Sequence, residues 1–434
     1  MRQMKDSGIE WIGEIPKNWE VRKIKTRFAI QAGFTPDTKN DSYYNDSGYD
    51  WVNISDLVDG KTICISNTRK KISREYLVKY PHRIVKQGSL LYSFKLSVGQ
   101  TAFAGKDLYT NEAIASILPT QNDNLKFLNY ATFLIIFNAQ TNIYGAKILN
   151  QDLIKNAVIV FPSIAEQQKI ADFLDGKCAK IDSLIAHEEA TIEELKAYKQ
   201  SVITEAVTKG LDKSVPMKDS GVEWIGEIPE SWSVGKLKNI CNVFGRIGFR
   251  GYRQDDLVSE GEGAITLSPS NMKDMKMNYE KCSYLTWEKY FESPEIQIKN
   301  DDILFVKTGS TFGKVALVEN LPLAATVNPQ IIVITNFKIF NKYLCYFLCS
   351  PIIRAQIDCS VVGGTIPTIS QEKILNYSIL IPTSKEQKQI AEYLDKKCAE
   401  IDSLISIKQN KIEELKEYKK SLIYEYVTGK KEVA

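Results

Sequence analysis

The chain has 434 residues, 44% of them hydrophobic and 25% charged, which is enough apolar material for two or three packed domains and excludes wholesale disorder. No apolar run approaches the ~20 residues of a membrane span; the richest, Phe127–Phe137, is interrupted by Asn129, Tyr130 and Thr132. The net charge is only +3, yet residues 1–165 hold 21 basic against 15 acidic groups, so the first third is a positive block. The opening MRQMKDSGIEWIGEIP lacks an apolar signal core, and a cytoplasmic protein is expected. Eight cysteines without a CxxC pair, with only His82 and His187, argue for free thiols and against a Cys/His zinc site.

Met4–Trp19, MKDSGIEWIGEIPKNW, returns as Met217–Trp232, MKDSGVEWIGEIPESW, with thirteen of sixteen positions identical at an offset of 213. Two further anchors keep the same order: Lys126–Tyr130 matches Lys342–Tyr346 at an offset of 216, and Glu166–Ile203 matches Glu386–Ile423 at 220, with 23 of 38 identities. The chain is therefore two copies of one unit. The ends of the unit are nearly copied while the stretches between them barely align, the pattern of a scaffold that holds two differently specialised readers.

In the first variable stretch, Arg69, Lys70, Lys71, Arg74, Lys79, Arg83 and Lys86 stand against the single Glu75, with Tyr76, Tyr80 and His82 interleaved. Such a patch supplies phosphate contacts, and its aromatics can rest on sugars or bases. Taken alone it also fits a solvated face beside a strand. A strand-like run, Leu90–Lys95, leads into Leu96, Ser97, Val98 and Gly99, with Asn111 downstream.

From Leu174 the apolar positions step by four and three: Leu174, Cys178, Ile181, Ile185, Ile192, Leu195 and Val202, with Glu188 and Lys199 in the gaps. The second copy runs Leu394, Cys398, Ile401, Ile405, Ile412, Leu415 and Leu422, with Lys408 and Lys419 in the gaps. This is a coiled-coil seam in each copy, started after Pro162 or Pro382 and stopped before Gly210 or Gly429. Glu188 and Lys408 occupy the same seam position, so an antiparallel pair centred on them would set Leu174 against Leu422, Ile181 against Leu415 and Leu195 against Ile401. The alternative is that each helix packs only on its own globular domain.

In the second variable stretch, RIGFRGYR places Arg246, Arg250 and Arg253 among glycines and aromatics, Tyr252 included. Arginine can fork onto guanine or phosphate, and glycine lets the backbone approach. The strand-like Ile303–Lys307 with Thr308, Ser310, Thr311 and Lys314 echoes the first stretch, and Asn328 and Gln330 echo Asn111; amide side chains are the usual bidentate readers of adenine. Each feature alone is compatible with ordinary loop chemistry. GSTFGKV at Gly309–Val315 is one residue short of a phosphate loop, Asn328-Pro329-Gln330 lacks the Asn-Pro-Pro-aromatic signature of adenine methyltransferases, and no catalytic constellation is recognisable.

The repeated MKDSGIEWIGEIPKNW, and EQQKIADFLDGKCAKIDSLI from Glu166 with its copy from Glu386, resemble the conserved regions of type I restriction–modification specificity (S) subunits. The resemblance implies an α+β chain: two mixed α/β target-recognition domains separated by two long antiparallel coiled-coil helices, with an internal pseudo-two-fold duplication. The expected division is 1–162 and 210–382 for the recognition domains, 163–209 and 383–434 for the helices. It implies a non-catalytic reader of double-stranded DNA, one half of a bipartite asymmetric target per domain. It further implies two methyltransferase (M) and two restriction (R) subunits as partners, with S-adenosylmethionine, ATP and magnesium on those partners and none on this chain. The competing readings are a coiled-coil adaptor that binds only proteins, and a self-contained DNA-modifying enzyme.

Overall fold

The computed structural model describes residues 2–37, 41–57, 64–78, 81–95, 97–141, 147–246, 248–360 and 368–433. The chain forms two compact units, one of residues 1–187 with 411–434, the other of residues 188–410. These units cut across the linear four-part division, because each takes half of each long helix.

The long helices run Ile164–Lys209 and Ser384–Val427. The second therefore stops well short of residue 434. Gly429 follows at φ +73°, where an added Cβ would lie 2.4 Å from Pro16 Cδ. Gly210 ends the first helix at φ +74°, with Trp232 3.2 Å from the equivalent point. Gly210→Ala is expected to cost about 1 kcal/mol through the left-handed backbone. Gly429→Ala is expected to cost about 2–4 kcal/mol, because the proline must also move; urea denaturation of the two variants gives the ranking.

Inside the first unit the early turns of the first helix lie against the last turns of the second. Leu174, Ile181, Leu422 and Val427 share its core, and Lys419 holds Asp182 at 2.6 Å. Inside the second unit the same ion pair recurs with the roles exchanged, Lys199 to Asp402 at 2.7 Å, and Lys408 meets Glu188 at 2.8 Å. The helices are thus antiparallel within each unit. The seam positions Leu174, Ile181, Glu188, Ile192, Leu394, Ile401 and Ile412 are buried, while Ile185, Leu195, Ile405, Lys408 and Leu415 are half-buried. Helix starts also pack on their own globular part: Ile390, Leu394 and Cys398 join the second unit's core together with Val202, Ile203, Ala206 and Val207 from the end of the first helix.

The globular parts share one topology. In the first unit a sheet runs in the order Ile30–Ala32, Ile114–Ile117, Leu90–Ser93, Thr101–Ala104, Cys64–Ile65. In the second the order is Asn242–Gly245, Ile331–Thr335, Ile303–Val306, Val315–Leu317. The central strands Leu90–Ser93, Ile114–Ile117 and Ile303–Val306 are buried along their whole length, which is why they read as unbroken runs rather than alternating ones. A second sheet in each unit contains one parallel pair, Tyr109–Thr110 beside Trp51–Val52 and Ala325–Val327 beside Ile265–Leu267.

The shared topology revises the expectation that the intervening stretches barely align. At the offset of 213, Ser73 and Thr286 each cap a short helix, accepting from Tyr76 N and Lys289 N. Pro81 and Pro294, then Val85-Lys86 and Ile298-Lys299, then Leu90 and Ile303 fall into the same register.

Candidate nucleic-acid interface

In the first unit the cations of the 69–86 segment stand on an aromatic base. Phe34, Trp51, Ile72, Leu77 and Tyr109 form a small buried cluster, with Tyr44 and Tyr76 packed against it. The Lys70 ammonium lies 5.6 Å over the Tyr44 ring, the Arg74 guanidinium 5.8 Å over Tyr49, and that of Arg83 5.7 Å over Phe34. Arg69, Lys70 and Arg74 are exposed, and Lys71 and Arg83 half-buried. Lys86 is exposed and paired with Asp107 at 2.8 Å. Lys79, with Tyr80, lies outside the described residues. Flat rings that support cations at 5–6 Å stiffen long side chains without neutralising them, which suits a surface that must meet phosphates.

Lys95 and Ser97 are exposed in the turn after Leu90–Ser93, where Ser93 Oγ donates to Ser97 O at 2.5 Å and accepts from Gln100 N at 3.1 Å. Leu96 is outside the described residues. Asn111 is half-buried, and its carbonyl Oδ1 accepts from Ala113 N at 3.1 Å. It sits where the backbone passes Gly33 closely: a Cβ there would fall 2.1 Å from Asn111 O.

In the second unit the polar turn after Ile303–Val306 and the Asn328–Gln330 turn come together. Lys307 N donates to Gln330 O at 2.8 Å, and Gly309, at φ +105°, leaves room for Gln330 Nε2. Asn328 Nδ2 donates to Gln330 Oε1 at 3.1 Å, so the two amides orient one another. Thr308 is half-buried, Ser310 and Thr311 are exposed, and the Lys314 ammonium donates to Pro269 O at 3.2 Å. The Lys307 ammonium is half-buried, and burial alone pulls its pKa below the usual lysine value.

Arg246 is placed differently from the other cations. It is 5% exposed, and its guanidinium donates to Val327 O at 3.2 Å, Thr326 Oγ1 at 3.1 Å and Arg250 O at 3.3 Å, while lying 5.3 Å over the Tyr252 ring. Its donors shape the loop rather than face outward. Arg250 is half-buried with Glu295 at 3.5 Å, the Tyr252 hydroxyl accepts from Thr266 Oγ1 at 3.4 Å, and Arg253 is exposed.

Sequence reasoning passed over Phe34, Tyr44, Tyr49 and Trp51 as a support, and over Trp287 and Phe291, exposed and stacked at 6.0 Å on the second unit's capped helix. The signal was available in the 213-residue offset, which sets Trp287–Phe291 opposite Arg74–Val78. Among the described residues no group of three or more His, Cys, Asp or Glu could hold a metal ion, and no helix is long and apolar enough to cross a membrane.

Comparison with known proteins gives the family. Residues 16–197 and 229–417 match the family described as type I restriction modification DNA specificity domain. The chain is similar to the type I restriction enzyme MjaVIII specificity subunit of Methanocaldococcus jannaschii, 25% identical over 96% of this chain and 93% of that one. It is also similar to the EcoBI specificity subunit of Escherichia coli, 24% identical over 74% and 70% of the two chains. A solved structure titled as the basis of complex assembly and conformational transition of the type I R-M system shares the fold, with a TM-score of 0.70 at 15% identity over 95% of this chain and 98% of that one.

Proposed function

The chain belongs to the type I restriction modification DNA specificity family, and from that premise we propose how it reads DNA: each unit's globular part contacts one half of a bipartite duplex target, and the paired helices set the gap between the halves. The role is recognition without chemistry. The observation that carries the reading is the combination of one topology with two different surfaces. Two modules of the same fold, presenting Arg69–Arg83 in one and Lys307–Gln330 in the other, suit two unlike half-sites.

The readers we assign are Arg69, Lys70, Lys71, Arg74, Lys95 and Ser97 in the first unit, with Arg250, Arg253, Lys307, Ser310, Thr311 and Gln330 in the second. Arg246 and Lys314 act by holding loops, given their internal acceptors. Partner docking is favoured by exposed apolar side chains repeated on both helices, Leu184 with Leu404 and Tyr198 with Tyr418. A surface that occurs twice fits two copies of one protein, here the methyltransferase subunit, with two restriction subunits completing a cytoplasmic complex. S-adenosylmethionine, ATP and magnesium belong to those partners.

Mapping adenine methylation in cells that express this chain with its methyltransferase partner tests the reading. A chain-dependent motif of two short unrelated blocks around a fixed gap is expected. Arg250→Ala and Lys307→Ala are each expected to relax base choice in one block by about tenfold or more while leaving the other block intact. Equal loss in both blocks would contradict one reader per half-site.

A further inference from the structure

The variable modules are fastened to the helices by a polar set that is the same in both units. In the first, Trp19 Nε1 donates to Glu166 at 3.0 Å, the Tyr130 hydroxyl to Asp175 at 2.7 Å, and the Lys126 ammonium pairs with Asp175 at 3.0 Å. Gln167 donates to Pro162 O at 3.0 Å and accepts from Asn124 N at 2.8 Å. In the second unit Trp232 donates to Glu386 at 3.0 Å, Tyr346 to Asp395 at 2.7 Å, and Lys342 pairs with Asp395 at 3.3 Å. Gln387 donates to Pro382 O at 2.8 Å and accepts from Phe340 N at 2.7 Å.

All of these links join the globular part to the opening turns of the helix that follows it. Trp19, Trp232, Gln167 and Gln387 are buried. Apolar packing alone would hold a module on a helix yet tolerate small rotations, because it has no directional term. Hydrogen bonds weaken steeply as their angle opens, so several of them at different points fix the rotation. The two copies have kept these Trp–Glu, Gln–Pro, Tyr–Asp and Lys–Asp links while the surfaces between the anchors diverged. A device for one particular base sequence would have diverged with them.

We propose that this Trp–Glu, Gln–Pro and Tyr–Asp joint sets the tolerance of the half-site gap, and that Trp19, Tyr130, Gln167 and Asp175, with their counterparts, are positioning residues for spacing and not for base choice. The proposal rests on the bipartite reading above. One base pair more or less between half-sites moves the second block by about 3.4 Å and turns it by about 34–36°. A rigid joint rejects that change, and a loosened joint absorbs part of it.

The test is methylation mapping with the Trp19→Phe/Tyr130→Phe pair, and separately Trp232→Phe/Tyr346→Phe, each expressed with the methyltransferase partner. Sites with a gap one base pair longer or shorter are expected to rise about tenfold relative to the parent gap, the effect of losing roughly one hydrogen bond to a charged group. Both blocks are expected to stay unchanged in sequence. A core variant chosen to match the loss of thermal stability, Ile159→Val, is expected to lower methylation at every gap without widening the choice. If a pair fails to fold, Tyr130→Phe or Tyr346→Phe alone takes its place. Methylation confined to the parent gap in folded variants overturns the proposal and leaves the bipartite reading standing. Absence of a two-block motif with the parent chain overturns that reading first.

Discussion

Replacing Lys408 by alanine is expected to destabilise the second unit by about 3 kcal/mol, more than replacing Glu188, its partner at 2.8 Å. The asymmetry follows from burial. The Glu188 side chain is 4% exposed and that of Lys408 31%, so the lysine can turn to water when its partner is removed, whereas the carboxylate cannot. Glu188→Ala is therefore expected to cost about 1–2 kcal/mol, and the double alanine variant less than the sum. Converting both positions to leucine is expected to be neutral or stabilising, because well-packed apolar layers commonly outperform buried ion pairs. The function of the pair is then register: at this layer the seam of the second unit brings opposite charges together, and a leucine layer would tolerate a slip by a heptad. Urea denaturation of the four variants decides the point. A Lys408→Ala chain as stable as Glu188→Ala would refute the burial argument.

The second large effect concerns salt. The segment 69–86 carries seven cations against Glu75, while its topological counterpart, 282–299, carries Lys289 and Lys299 against Glu288, Glu292 and Glu295. Lys289 is moreover bound to Glu292 at 2.8 Å. Of these two counterpart segments, only the first is strongly positive. Changing Arg69, Lys70, Lys71 and Arg74 together to alanine is expected to flatten the slope of log affinity against log salt by about 3.6, at ~0.9 for each of four phosphates no longer neutralised. Changing Lys289 and Lys299 is expected to shift that slope by less than about one. Fluorescence anisotropy with a cognate duplex across a salt series measures both. Equal changes from the two sets would mean that the counterpart segments do the same work, against their opposite net charge.

The Glu188–Lys408 layer was legible because heptad spacing makes a helix seam a one-dimensional object. Two seams with matched gaps have few antiparallel registers that pair opposite charges, and the structure adopts the one in which 188 faces 408. The 69–86 patch was legible as charge. Its aromatic support was not, because Tyr44, Tyr49 and Trp51 reach it through sheet pairing, and Phe34 through a backbone bond to Thr110, that no local spacing announces. Arg246 shows the limit in the other direction. An arginine among glycines and aromatics suggests an outward reader, yet a backbone carbonyl and a threonine hydroxyl on the Ala325–Val327 strand of the second sheet turn it inward.

By itself the sequence determined that this protein is a duplicated unit with two long seam-bearing helices, with its positive charge gathered in the first third. Repeats, periodicity and charge are properties of the chain, independent of how it folds. Only the tertiary structure decided that each compact unit takes half of each helix, and that the two divergent stretches share one topology. It also decided which cations face outward and that the Trp–Glu and Tyr–Asp links fasten module to helix. Those outcomes depend on residues far apart in the chain finding one another, as Trp19 finds Glu166 147 positions away and Trp232 finds Glu386 154 positions away. Burial and directional hydrogen bonding select such pairs only once the sheets and helices are in place.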